Sequence, residues 1–177
     1  MKNIIFADSC ALILLAKCGM FELLAEAIPI IMPEGVYKEV VNKELLKKYA
    51  DAAVIAGLIL KKRIKVVPVK HRSFKIPISM DRREIEALVL ASQTSGHILA
   101  TADRKAIKAC RYLKIPFIIS PKIAIELYRM DKIDFERVKL AIEKMKIIGR
   151  YSPDIIAEAL IELEVIRNAK NSNRQGY

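Results

Sequence analysis

The chain has 177 residues, 53% of them hydrophobic and 29% charged, with 31 Lys and Arg against 20 Asp and Glu for a formal charge of +11. That length suits one domain with at most a small appendage, and the composition excludes a largely disordered chain. The charge favours a polyanionic partner, and with no Trp and no stacking spacing among the aromatic residues a nucleic acid would be held by its phosphates.

The residues 4–7, Ile-Ile-Phe-Ala, form a short unbroken apolar run, the mark of a strand buried on both faces of a sheet. Asp8 follows at its end, and 9–17 then reads as a short helix closed by Gly19. A second helical piece covers 21–27 and a strand 29–32. Pro33 is expected at the first position of the next helix, where a missing N–H costs nothing. That helix carries Val36, Tyr37, Val40 and Val41 on an apolar stripe, with Glu39 beside it. One longer helix is expected over 44–62, a strand at or near a sheet edge over 64–69, and a loop over 71–77.

Asp81 and Glu84 have the D-x-x-E spacing of a capping box, and a helical period runs on through Gln93 to a stop at Gly96. A second buried strand, 97–101, is followed by Asp103 and a helix over 105–113. A third buried strand is expected over 115–119, and helices over 122–130, 135–146 and 153–168. Alternating strands and helices predict an α/β fold, a three-layer sandwich with a mostly parallel central sheet, followed by C-terminal helices. The domain reading is a globular α/β domain over 1–130, a helical extension over 131–168 packed on or beside it, and a flexible tail over 169–177.

The longest apolar run, 52–60, is far too short to span a bilayer, and no signal-peptide pattern opens the chain. A cytoplasmic protein with no membrane association is the expectation. Cys10, Cys18 and Cys110 match no metal-binding spacing and read as small buried hydrophobes in a reducing compartment. His71 and His97 have no ligand spacing either.

Asp8 and Asp103 close buried strands, while Glu39 and Glu84 lie on helices that should open at the same sheet edge. Each has a plainer use. Asp8 and Asp103 are well placed as helix N-caps, Glu84 completes the capping box of Asp81, and Glu39 alone would be a surface glutamate. Glu84 has Ala87, Leu88 and Ala91 on its helical face, whereas Glu86 points elsewhere and reads as a solvated acid. As a set, carboxylates from separate segments repel unless a cation neutralises them, and a hard divalent ion such as Mg²⁺ prefers such oxygen donors. That combination suits phosphodiester hydrolysis by a metal-activated water, without a Ser, Cys or His nucleophile.

Four segments then match a family in order. Ile5-Phe6-Ala7-Asp8-Ser9, the run 33–40 ending Lys38-Glu39-Val40, the run 81–87 opening Asp81-Arg82-Arg83-Glu84, and the run 99–106 containing Thr101-Ala102-Asp103 together resemble the PIN-domain nucleases. The likeness is strongest to the archaeal and bacterial group that includes the toxins of VapBC-type modules. It implies a metal-dependent endoribonuclease with Mg²⁺ or Mn²⁺ held by Asp8, Glu39, Glu84 and Asp103. Ser9 or Thr101 would steady a carboxylate or water. Members commonly form homodimers, and the toxins pair with a small antitoxin protein. Two departures stand out: Arg83 where relatives often have Gly, and Ala102 where they often have a second Asp, leaving one acid at that corner.

Arg82, Arg83, Arg104, Lys105 and Lys108 flank the acid-bearing helix starts and could guide an RNA backbone. The rival reading is a non-catalytic RNA- or protein-binding module with a degenerate acidic site. A phosphatase of the haloacid dehalogenase type would want a second Asp where Cys10 stands, and a response-regulator receiver would want a strand before Asp51 or Asp81.

Overall fold

The computed structural model describes residues 3–6, 8–69, 79–93, 96–149 and 151–175, and for Asn3, Ile5, Lys43, Arg83, Arg174 and Gln175 the backbone alone. The first half runs β1 (Asn3–Phe6), α1 (Ser9–Lys17), α2 (Phe21–Ala27), β2 (Ile30–Pro33), α3 (Glu34–Val40), α4 (Lys43–Lys48), α5 (Ala50–Leu60) and β3 (Ile64–Val67). The second half runs α6 (Arg82–Gln93), β4 (His97–Ala100), α7 (Arg104–Leu113), β5 (Phe117–Ile118), α8 (Ser120–Arg129), α9 (Phe135–Ile148) and α10 (Pro153–Gln175).

The five strands form one sheet in the order β3-β2-β1-β4-β5, every pair parallel. The sheet is small, with strands of two to four residues, and helices cover it in a three-layer α/β sandwich, as a parallel sheet requires. β1 lies at its centre. Ile4 and Phe6 are fully buried there, and the Phe6 ring meets Phe21 of α2 edge to face at 5.5 Å. Leu99 of β4, Ala87, Leu88 and Ala91 of α6, and Ala109 and Cys110 of α7 form a second buried cluster. That packing fixes where α6 and α7 begin.

The boundaries of α1 and α2 fall where the apolar spacing put them, and Gly19 takes the left-handed conformation (φ +68°) that ends α1. β3 is an edge strand, as its proline suggested. Several expectations are corrected. The helix expected over 44–62 is two helices, parted at Tyr49, whose backbone is extended (φ −130°, ψ 123°). Asn42 caps the first, which has Glu44 in its first turn and Lys47 and Lys48 in its last, and Asp51 lies in the first turn of the second, all placements the helix dipole favours. Pro33 closes β2 and caps α3 from outside. β5 is a two-residue, half-buried edge strand where a longer buried one was expected. α10 continues to Gln175, through most of the segment read as a flexible tail. Cys10 is exposed and only Cys110 is buried. The loop expected over 71–77 lies outside the described residues.

By packing, the chain divides into Met1–Ser120 and Pro121–Tyr177, against an expected boundary at 130. In the second unit α9 packs on α10 around Val138, Ala141, Ile142, Met145, Ala159 and Leu163. Lys122 and Arg129 both donate to Glu162, the latter at 2.7 Å, tying α8 to α10. No helix among the described residues is long and apolar enough to cross a membrane.

Candidate functional site

In this strand order the chain leaves β1 toward β2 on one side and returns to β4 on the other. The C-terminal ends of β1 and β4 therefore flank the switch point of the sheet, where α/β folds place their ligands. Phe6 and Ala100 are in register as the last residues of these strands. α1 and α7 start at this edge because they follow β1 and β4. α6 starts there because it runs back to feed β4 from the opposite end.

Asp8 is fixed from both sides. Its Oδ1 accepts from the Ala11 amide of α1 at 2.8 Å, the N-cap bond. Its Oδ2 accepts from the Thr101 hydroxyl at 2.6 Å and the Ala102 amide at 3.0 Å. Thr101 is fully buried, and its oxygen accepts in turn from the Asp103 amide at 3.1 Å. One hydroxyl thus links the two strand-end acids. Asp103 caps α7 through Oδ1, which accepts from Lys105 and Ala106 at 2.7 and 2.9 Å. Ser9, the other expected support, is buried as the first residue of α1.

Glu84 sits in the first turn of α6 within a formed capping box. Its amide donates to Asp81 Oδ1 at 3.0 Å, and its Oε2 accepts from the Asp81 amide at 3.1 Å. Its carboxyl is held above the ordinary range, chiefly by burial and then by the negative charges of Asp103, Asp81 and Asp8, although the Asp81 bond pulls the other way. Asp8 and Asp103 are therefore close enough for their charges to act on Glu84, the three acids coming from three separate elements. None of the three makes an ion pair with Lys or Arg among the described residues.

Glu39 is exposed near the end of α3 and is not among the charges that raise Glu84. It lies about 8 Å along the axis from the first residue of its helix, given 1.5 Å per residue. The basic flank divides similarly. Arg104, Lys105 and Lys108 are exposed on α7, whereas Arg82 is turned to Glu86 at 3.2 Å. Glu86, expected in solvent, is only 8% exposed, and that ion pair offsets part of the cost of burying its charge. The Arg83 side chain lies outside the described residues. Two participants escaped sequence reasoning: the Ala102 amide, which has no side-chain signature, and Asp81, whose charge reaches Glu84 because the capping box holds them together.

The donors suit a hard divalent cation in chemical type, being carboxylate oxygens with uncompensated charge. Among the described residues, however, no three carboxylate, imidazole or thiol groups are gathered closely enough to hold a metal ion as they stand.

A family model described as DUF3368, PIN domain, matches residues 4–165. The chain belongs to the PIN domain family. Members of this family are generally nucleases that use divalent metals. Among solved structures, a PilT N-terminus domain protein, SSO1118, from the archaeon Sulfolobus solfataricus P2 is 15% identical, covering 70% of this chain and 90% of its own, with a TM-score of 0.46. The PIN domain endonuclease Utp24 is 14% identical, covering 66% of this chain and 84% of its own, with a TM-score of 0.47. No curated protein matches the chain.

Proposed function

We propose that the protein is a metal-dependent endoribonuclease whose site is built on Asp8, Glu84 and Asp103, with Glu39 as the fourth acid. The observation that carries this reading is that Asp8, Glu84 and Asp103 come to the switch point of the sheet from three elements, where burial first and then the charges of its acidic neighbours raise Glu84. Acids collected purely as helix caps would have no reason to face one another. Mg²⁺ or Mn²⁺, held by these carboxylates, would supply an activated water and offset charge on the phosphate. Asp103 Oδ2 and Glu84 Oε1 accept no hydrogen bond among the described residues and are the oxygens open to it.

The chain's own residues have definable parts. Thr101 and the Ala102 amide fix the Asp8 carboxylate, so that it need not be ordered when substrate arrives. Arg104, Lys105 and Lys108, exposed beside Asp103, are placed to hold the RNA backbone. Single-stranded RNA is the proposed substrate and a second copy of the chain the proposed partner. Pairing is supported by Leu140 and Ile147 on α9 and Ile161 and Val165 on α10, all more than 60% exposed. A toxin role would add a small antitoxin.

The test is cleavage of end-labelled single-stranded RNA by the purified protein in Mn²⁺, Mg²⁺ or EDTA, beside Asp8→Asn. Metal-dependent cleavage by the parent, reduced about 10²–10³-fold in the variant, is the expected result. The second reading, a non-catalytic RNA-binding module, is favoured by one observation: both oxygens of Asp8 already carry protein hydrogen bonds. RNA binding in EDTA with no cleavage in any metal would establish it instead.

A further inference from the structure

We propose that the C-terminal unit carries a separate phosphate-binding pocket, formed where the turn from α8 to α9 faces the far part of α10. The pocket has a volume of about 630 Å³ and is lined by four cations, Lys132, Arg137, Arg167 and Lys170, against two carboxylates, Asp131 and Asp134.

Both carboxylates are already engaged. Asp134 Oδ1 accepts from the Arg137 amide at 2.8 Å as the N-cap of α9, and Asp131 Oδ1 accepts from Lys170 at 2.6 Å. Lys170 is committed to the fold as well, since it also donates to the Tyr128 carbonyl at 2.7 Å and lies 4.5 Å from the Tyr128 ring centre. The other three cations are differently placed. Arg167 is stacked 4.1 Å over the Phe135 ring, and its carboxylate neighbour, Glu164, is at 3.8 Å. A guanidinium seated on a ring face is oriented without spending its in-plane N–H donors, and these suit a phosphate's oxygens. Lys132 and Arg137 are exposed and make no ion pair among the described residues.

The same geometry selects the class of ligand. Arg167 and Lys170 cover a face of Phe135 and Tyr128, and the two rings meet edge to face at 6.2 Å. Those faces are closed to a stacking base, so recognition falls on the phosphate. A free phosphate monoester and a nucleic-acid backbone present that group alike. The pocket lies wholly within the second unit and does not depend on the nuclease reading.

The test is amide NMR of the full chain in EDTA, titrated separately with inorganic phosphate, adenosine 5′-monophosphate and an RNA tetranucleotide. Saturable shifts confined to 132–137 and 167–171 are expected with at least one probe. A response to inorganic phosphate marks a site for free anions, and a response to the tetranucleotide alone marks a backbone site. Lys132→Gln with Arg137→Gln removes two exposed charges without touching packing, and Arg167→Met keeps an apolar cover on Phe135. Each should weaken binding about tenfold, as loss of a charge-assisted contact does, with an unchanged melting curve. No saturable shift with any probe, or undiminished affinity in both variants, would overturn the proposal.

Discussion

The two units use carboxylates in opposite ways. In the second unit Glu162 accepts from Lys122 and Arg129, and Asp131 from Lys170, so acids are neutralised by cations from neighbouring helices. In the first unit Asp8, Glu84 and Asp103 are brought together from three elements and held by hydroxyls and backbone amides. Hydrogen bonds fix these acids in place, but no ion pair among the described residues removes their charge. The difference teaches how to separate a structural acid from a candidate functional one. Paired acids stabilise, and gathered unpaired acids cost stability that a bound cation can return.

The sharpest way to break that contrast is Glu84→Gln, which keeps the acceptor for the Asp81 amide and removes the charge. Cleavage in Mn²⁺ should fall about 100-fold, the loss typical of one catalytic electrostatic contact. Stability at neutral pH should nevertheless rise by about 0.5 kcal/mol, the size of a screened repulsion. The sign follows from linkage. A carboxyl raised in the folded state binds its proton more tightly there, so stability is lost as pH climbs through the raised value. Thermal melts between pH 4 and 8 without metal should show that loss in the parent and less of it in the variant. Equal pH dependence would refute the clustering of charge.

Thr101→Val tests the clamp. It removes a buried donor to Asp8 and strands the Asp103 amide, and should cost about 2 kcal/mol by urea unfolding. Glu162→Gln tests the paired region. Here stability should drop by about 1 kcal/mol, moderated by partial exposure, while RNA cleavage is unchanged. A fall in cleavage comparable to that of Glu84→Gln would erase the distinction between the two regions. The smallest effect concerns the thiols. Cys10 should react with Ellman's reagent in the native protein, while Cys110, its thiol pushed up to about 12 by burial, should react only on unfolding.

Much of this organisation is written locally. The apolar runs at 4–7 and 97–101 mark the two central strands, because a strand covered on both faces must be apolar throughout. The Asp81–Glu84 spacing specifies a capping box whose two bonds both form. The break at Tyr49 was not legible, because 44–62 is continuous in helical residues and only the packing of its two pieces makes an extended residue worthwhile. Glu86 was misread for a related reason. It is buried in the fold, and Arg82, one turn back on the same helix, pairs with its charge there.

The sequence by itself determined the strand-end acids, the helix caps and the order of strands and helices, since each depends on residues within a few positions of one another. It also determined that the chain carries the PIN pattern. Only the tertiary structure decided which acids meet. Parallel pairing of β1 with β4 carries Asp8 to Thr101 and Ala102, more than ninety positions along the chain. Glu39, on α3, is not among the charges that raise Glu84. The second unit's basic pocket is likewise a product of folding, for Arg137 and Arg167 share a wall only because α9 and α10 pack together. Local spacing can place a charge on an element, but the neutrality or strain of that charge is fixed by what the fold sets opposite it.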